Sequence, residues 1–108
     1  LLKNDINMVI EKTDGISAEH LKNICFQLRN EYPNLFGVLA SIINEKPMLT
    51  VFASDTLVNE KQINCSNIVR QLAKHIDGGG GGQAFFATAG GKNINGIEKA
   101  LEEAKSIL

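Results

Sequence analysis

The chain is 108 residues long, 44% hydrophobic and 21% charged, and eleven Lys and Arg against twelve acids leave a formal net charge of −1. That length is one domain, able to bury roughly two-thirds of its unfolded surface, and the composition is that of an ordinary globular protein. The charge balance excludes a polyanion-binding surface spread over the whole chain, and no apolar run approaches the ~20 residues that a membrane span needs.

The opening Leu1-Leu2-Lys3-Asn4-Asp5 has no initiator Met and no signal-peptide layout, so residues 1–108 read as one globular piece of a longer chain. Ile6, Met8 and Ile10 alternate with Asn7, Val9 and Glu11, the period of a half-buried strand. Asp14-Gly15 predicts a turn and Ser17 a helix cap. Leu21, Ile24, Cys25, Leu28 and Tyr32 then make a helical stripe that Pro33 ends. Leu35 to Ile43 and Met48 to Ala53 predict an antiparallel hairpin around the polar turn Asn44-Glu45-Lys46-Pro47.

Ser54 to Gln62 reads as a polar connection, with Leu57 and Val58 packed against the sheet. Asn64 predicts an N-cap, and Ile63 with Ile68 has the spacing of a hydrophobic staple. Ile68, Val69, Leu72, Ala73 and Ile76 form a second stripe, with Gly78 where a left-handed residue ends a helix. Phe85 to Ala89 predicts a central strand. Asn95-Gly96-Ile97-Glu98 matches a capping box and opens a last helix facing inward through Ile97, Ala100, Leu101, Ala104 and Leu108. The order is β-α-β-β-α-β-α, an α+β fold with helices packed on a mixed sheet.

Between the second stripe and the last strand stands the run Gly78 to Gly82, and past the strand comes Gly90-Gly91-Lys92-Asn93. Ordering five glycines costs more backbone entropy than a crossover requires, so the run reads as a loop bringing bare N–H groups to a partner. Lys74 and Lys92 would supply charge to an anion there. No P-loop is present, because Phe86 stands where its first glycine belongs and Asn93 where its hydroxyl belongs. Gly79-x-Gly81-x-x-Ala84 follows a helix and enters a strand, the reverse of the dinucleotide-binding context.

Other candidates are weaker. His20 and His75 are lone histidines with no partner at ligand spacing. Cys25 and Cys65 both lie in helix patterns and read as reduced thiols, with a disulfide between them, or a lowered pKa for Cys65 at a helix start, as the alternatives. Alternation puts Phe85 and Phe86 on opposite sheet faces, and Glu98, Glu102 and Glu103 read as a solvated helix face. No nucleophile triad, acid–base pair or metal cluster is visible, so the fragment alone reads as non-catalytic.

Val69-Arg70-Gln71-Leu72-Ala73-Lys74-His75-Ile76-Asp77, the glycines, Gln83 and Phe85-Phe86-Ala87-Thr88-Ala89-Gly90-Gly91-Lys92-Asn93 resemble the C-terminus of bacterial alanyl-tRNA synthetases. The resemblance covers most of the chain and is strongest over its last 45 or so residues. It implies an accessory domain gripping the elbow of tRNA(Ala), so that the aminoacylation and editing domains of the same cytoplasmic parent work on one bound tRNA. The parent would be an alanine–tRNA ligase using ATP, magnesium and zinc, with no cofactor in this fragment, no membrane, and a homodimer as a further expectation. The residues carried over as the nucleic-acid contact are Lys74, Gly78, Gly79, Gly80, Gly81, Gly82, Gln83, Gly90, Gly91, Lys92 and Asn93. Many members have Arg-Pro-Asp where this chain has Gln83-Ala84-Phe85, which removes a guanidinium from that loop. The same small domain is similar to the C-terminal half of DHH-type phosphoesterases. A phosphate-binding half of such an enzyme and a dimerisation module therefore stay open as alternatives.

Overall fold

The strands β1 (Leu2–Lys3), β2 (Ile6–Thr13), β3 (Leu35–Ile43), β4 (Lys46–Ala53), β5 (Gly79–Gly82) and β6 (Phe86–Gly90) form one sheet in the order β1-β2-β3-β4-β6-β5. The structure is a computed structural model describing residues 2–3, 6–13 and 17–107. β2 and β3 are parallel and connected by α1 (Ala18–Glu31), while the other four pairings are antiparallel. The sheet is therefore mixed, and the α+β expectation holds.

Helices cover both faces because β3, buried over its first seven residues, is apolar on both sides. On one face Leu21 and Cys25 of α1 pack over Leu35, Leu39 and Phe52. On the other lie α2 (Asp55–Glu60), α3 (Cys65–Ala73) and α4 (Ile97–Ser106). There Leu57, Val69, Leu72, Ala100 and Ala104 close over Phe36, Val38, Leu49 and Val51. On the α1 face Gly37 makes room for Phe52, since a Cβ there would stand 2.1 Å from its ring.

Several local expectations are met. Ser17 caps α1 by accepting from His20 N–H at 3.1 Å, and Asn64 caps α3 by accepting from Asn67 N–H at 3.2 Å. Others are displaced. Tyr32 is exposed and lies past the α1 stripe. The hairpin turn is only Asn44-Glu45, both at positive φ, so Lys46 and Pro47 belong to β4. The connection after Ser54 contains α2. Asp77, not Gly78, is the left-handed residue after the 3-10 turn Lys74–Ile76 that extends α3. Asn93, not Asn95, is the cap, accepting from Asn95 N–H at 3.1 Å and opening a 3-10 turn, Ile94–Gly96, before α4. The predicted Asp14-Gly15 turn and Leu108 lie outside the described residues.

One buried hydroxyl ties the α1 crossover to the end of β4. Leu35 N–H donates to Ser54 Oγ at 3.1 Å, and the Ser54 hydroxyl faces the carbonyls of Tyr32 and Arg29. Beside it Arg29 Nε donates to Ala53 O at 2.8 Å, and its guanidinium pairs with Asp55 and lies 4.8 Å from the Phe85 ring centroid. Ser54→Ala leaves the Leu35 N–H without a buried partner and is expected to cost about 2 kcal/mol. A urea midpoint equal to that of the unsubstituted chain would contradict this.

Candidate nucleic-acid interface

The five glycines are not a free loop. Gly79–Gly82 form the edge strand β5, paired with β6 in the register Gly79↔Gly90, Gly80↔Ala89, Gly81↔Thr88 and Gly82↔Ala87. Gln83 N–H donates to Phe86 O at 2.8 Å, so the alternation of an antiparallel ladder turns Gly79 and Gly81 N–H toward β6. The same alternation leaves Gly80 and Gly82 N–H facing the outer edge. The Gly80 carbonyl also faces outward, where it accepts from Arg70 Nε at 3.2 Å.

Most other amides of the predicted site are internal as well. Gly78 N–H goes to Ala73 O, Gly91 N–H to Pro47 O, and both Lys92 and Asn93 N–H to Ile76 O, all at 2.8–3.0 Å. Nor is the run only a device for exposing backbone. A Cβ on Gly78 would stand 2.0 Å from Gly90 O, one on Gly80 2.1 Å from Thr88 O, and one on Gly82 2.7 Å from Phe86 O. Gly79 alone of the five has open space around it. The expectation of a bare amide cradle is thereby corrected: the glycines permit close backbone approach inside the domain, and two outward N–H groups remain.

What the topology assembles instead is a groove of about 540 Å³ at one end of the sheet. Gly78, Gly79, Gly90, Gly91 and Lys92 of the predicted set line it. Sequence reasoning missed Lys46, Met48, Asp77 and Thr88, which the β3–β4 hairpin and the β6 register bring beside them. Lys46, Lys92 and Asp77 are all exposed, so two lysines and one carboxylate line the groove. Lys74, Gly80, Gly81, Gly82, Gln83 and Asn93 do not line it. Lys74 and Gln83 are exposed elsewhere, and Asn93 is engaged in capping.

The turn that leads into the glycines is fastened to α4. His75 Nε2 lies 2.7 Å from Glu103 Oε1, and Gln71 Nε2 donates to Glu103 Oε2 at 2.6 Å. His75 is therefore not alone, and Glu103 is not simply solvated. The hydrogen bond with His75 holds the Glu103 carboxyl below its ordinary value, partial burial opposes this, and the Gln71 bond assists it. A lowered carboxylate pKa stabilises the fold above the unfolded value and loses that contribution as pH falls through the folded one. Glu103→Gln should cost roughly 0.5 kcal/mol at neutral pH. The difference should vanish on acidification; a difference independent of pH would contradict it.

The remaining candidates resolve against chemistry. Burial pushes both the Cys25 and Cys65 thiols up to about 12, with Arg29 offsetting part of the rise at Cys65. The lowered pKa considered for Cys65 is overturned. The Phe85 and Phe86 rings do not divide between faces: both lie against Phe26 of α1, with centroids 6.1 and 5.0 Å away, because Phe85 precedes the strand. Among the described residues, no group of three or more His, Cys, Asp or Glu could hold a metal ion, and no helix is long and apolar enough to cross a membrane.

A mixed sheet covered on both faces, edged by a glycine strand and ending in a two-lysine groove, defines a small α+β domain. The chain belongs to the DHHA1 domain family, whose profile matches residues 5–108. It is 40% identical over 104 residues to an alanine–tRNA ligase of Cytophaga hutchinsonii, covering 96% of this chain and 12% of that protein. It is 52% identical over 96 residues to the alanine–tRNA ligase of Bacteroides thetaiotaomicron, covering 88% and 11%. The chain thus spans about one-eighth of the length of these relatives. The C-Ala domain of Aquifex aeolicus alanyl-tRNA synthetase superposes with a TM-score of 0.86 at 26% identity, covering 96% of this chain and 92% of that one. A DHH domain described as a member of the s1p family of ribosomal proteins matches at a TM-score of 0.58 and 16% identity, covering 87% of this chain and 22% of that one, and shares the fold alone.

Proposed function

We propose that this chain is the C-terminal accessory domain of an alanine–tRNA ligase and that it binds tRNA(Ala) at its elbow. In this role it helps the aminoacylation and editing domains of a longer cytoplasmic parent act on one bound tRNA. ATP, magnesium and zinc chemistry would belong to those other domains. The supporting observation is the alignment of nearly the whole chain with one-eighth of the length of such ligases, together with the fold shared with the C-Ala domain.

The geometry supplies a compatible contact. Lys46 and Lys92 flank a groove open to solvent, and Gly80 and Gly82 offer two N–H groups along the adjacent edge. Contacts of this kind position a phosphate backbone without reading sequence. With two or three phosphates engaged, affinity should be weak, and log K should fall against log salt with a slope of about −2. Titration of labelled tRNA(Ala) with the 108-residue chain at 50 and 200 mM salt tests the reading. Absence of binding at the lower salt, with the domain folded, would overturn it.

A further inference from the structure

We propose that the face of the sheet under the start of α1 holds one unstacked nucleobase of the bound RNA, an inference that rests on the tRNA reading above. Glu19, Lys22, Met48, Thr50, Phe86 and Thr88 line a second cavity there, of about 340 Å³. Met48 and Thr88 line the first groove too, so the two form one trough running from Lys92 to Phe86. The trough exists because α1 closes over only one end of this face, at Leu35, Leu39 and Phe52. Ser41, Met48, Thr50 and Thr88 continue the same face beyond it, as the registers Ser41↔Met48, Leu39↔Thr50 and Thr50↔Thr88 require.

Two buried hydroxyls on that face are chemically unfinished: Thr50, in the cavity lining, and Ser41 on the neighbouring strand. Thr50 and Ser41 are each 1% exposed, and neither Thr50 Oγ1 nor Ser41 Oγ has a hydrogen-bond partner. Buried hydroxyls in native folds are almost always paired, and an orphan calls for an explanation. An apolar occupant would leave the Thr50 hydroxyl unpaired. A flat partner with a polar rim satisfies the site better, and a nucleobase is such a partner. Phe86, half-buried after stacking on Phe26 at 5.0 Å, and Met48 supply the apolar wall for its face. Thr50 is the group left to meet its edge, and Thr88, its register partner on β6, lines the cavity beside it. Lys22 stands at one mouth, 5.8 Å from the Phe26 centroid, and Lys46 and Lys92 at the other, so a backbone entering either end meets a cation. Glu19 and Asp77 are the opposing acids, and they weigh against a mononucleotide dianion held by charge alone.

The test is a pair of titrations of the 108-residue chain, with tRNA(Ala) and with a single-stranded pentaribonucleotide, each at two salt concentrations. Thr50→Val keeps the side-chain volume and removes an unpartnered hydroxyl, so it should fold, and it should weaken both RNAs about fivefold. Phe86→Leu should weaken both about tenfold. Neither should change the salt slope, which separates them from lysine substitutions. Thr50→Val binding both RNAs as tightly as the unsubstituted chain, or no binding of the pentaribonucleotide, would overturn the inference. Loss of pentaribonucleotide binding in both variants with no tRNA binding by any chain would support the base site and overturn the tRNA reading.

Discussion

Gly80→Ala is expected to lower the stability of the domain by about 3 kcal/mol, whereas Gly79→Ala, one residue away, should stay within about 0.5 kcal/mol of the parent. A methyl on Gly80 would enter the β6 backbone, 2.1 Å from Thr88 O and 2.5 Å from Ala89 Cα, neither of which can rotate aside. Moving β5 away to relieve that overlap breaks its ladder with β6 and pulls Gly80 O from Arg70. Around Gly79 there is open space, and alanine also narrows the unfolded ensemble, which favours the fold. Urea unfolding of the two variants checks the pair. Equal midpoints would mean that the glycines are an unpaired loop.

Charge reversal of Lys46 and Lys92 together should reduce affinity for tRNA(Ala) about 100-fold at 50 mM salt, some 2.7 kcal/mol. These are the two cations of the groove, and their replacement by carboxylates beside Asp77 would leave three negative groups and no positive one. The residual binding should also lose nearly all its salt dependence, because each lysine–phosphate contact contributes close to one unit of slope. Both side chains are exposed, so stability should hardly change. Unchanged tRNA affinity in the double variant would move the contact to another face.

The apolar strands and helices were legible because their side chains carry the period. Met8 and Ile10 of β2 share one core, and the stripes of α1, α3 and α4 each mark one buried face. β5 was not legible, since strand propensity resides in side chains and here pairing rests on backbone alone. The C-terminal cap of α3 was misplaced by one residue because Asp also tolerates the left-handed region. Asn93 and Asn95 both suit a cap. Asn93 is used because its own N–H is already fixed on Ile76 O. At the site, Lys92 lies inside the motif that carries the family resemblance, but Lys46 lies in a hairpin some 45 residues earlier. The register Met48↔Gly90 and the Gly91 N–H bond to Pro47 O bring that hairpin to the glycine turn. The trough was hidden for a related reason: Thr50 reads as an ordinary strand residue until its missing partner is seen.

Amide-resolved NMR of the 108-residue chain titrated with tRNA(Ala) tests most directly whether the groove is the RNA-facing surface. Saturable shifts are expected at Lys46, Met48, Gly79, Thr88 and Gly90 to Lys92, with Gly80 and Gly82 moving as the adjacent edge is engaged. Shifts confined to the outer surface of α4, around Glu98 and Glu102, with the groove silent, would contradict the account.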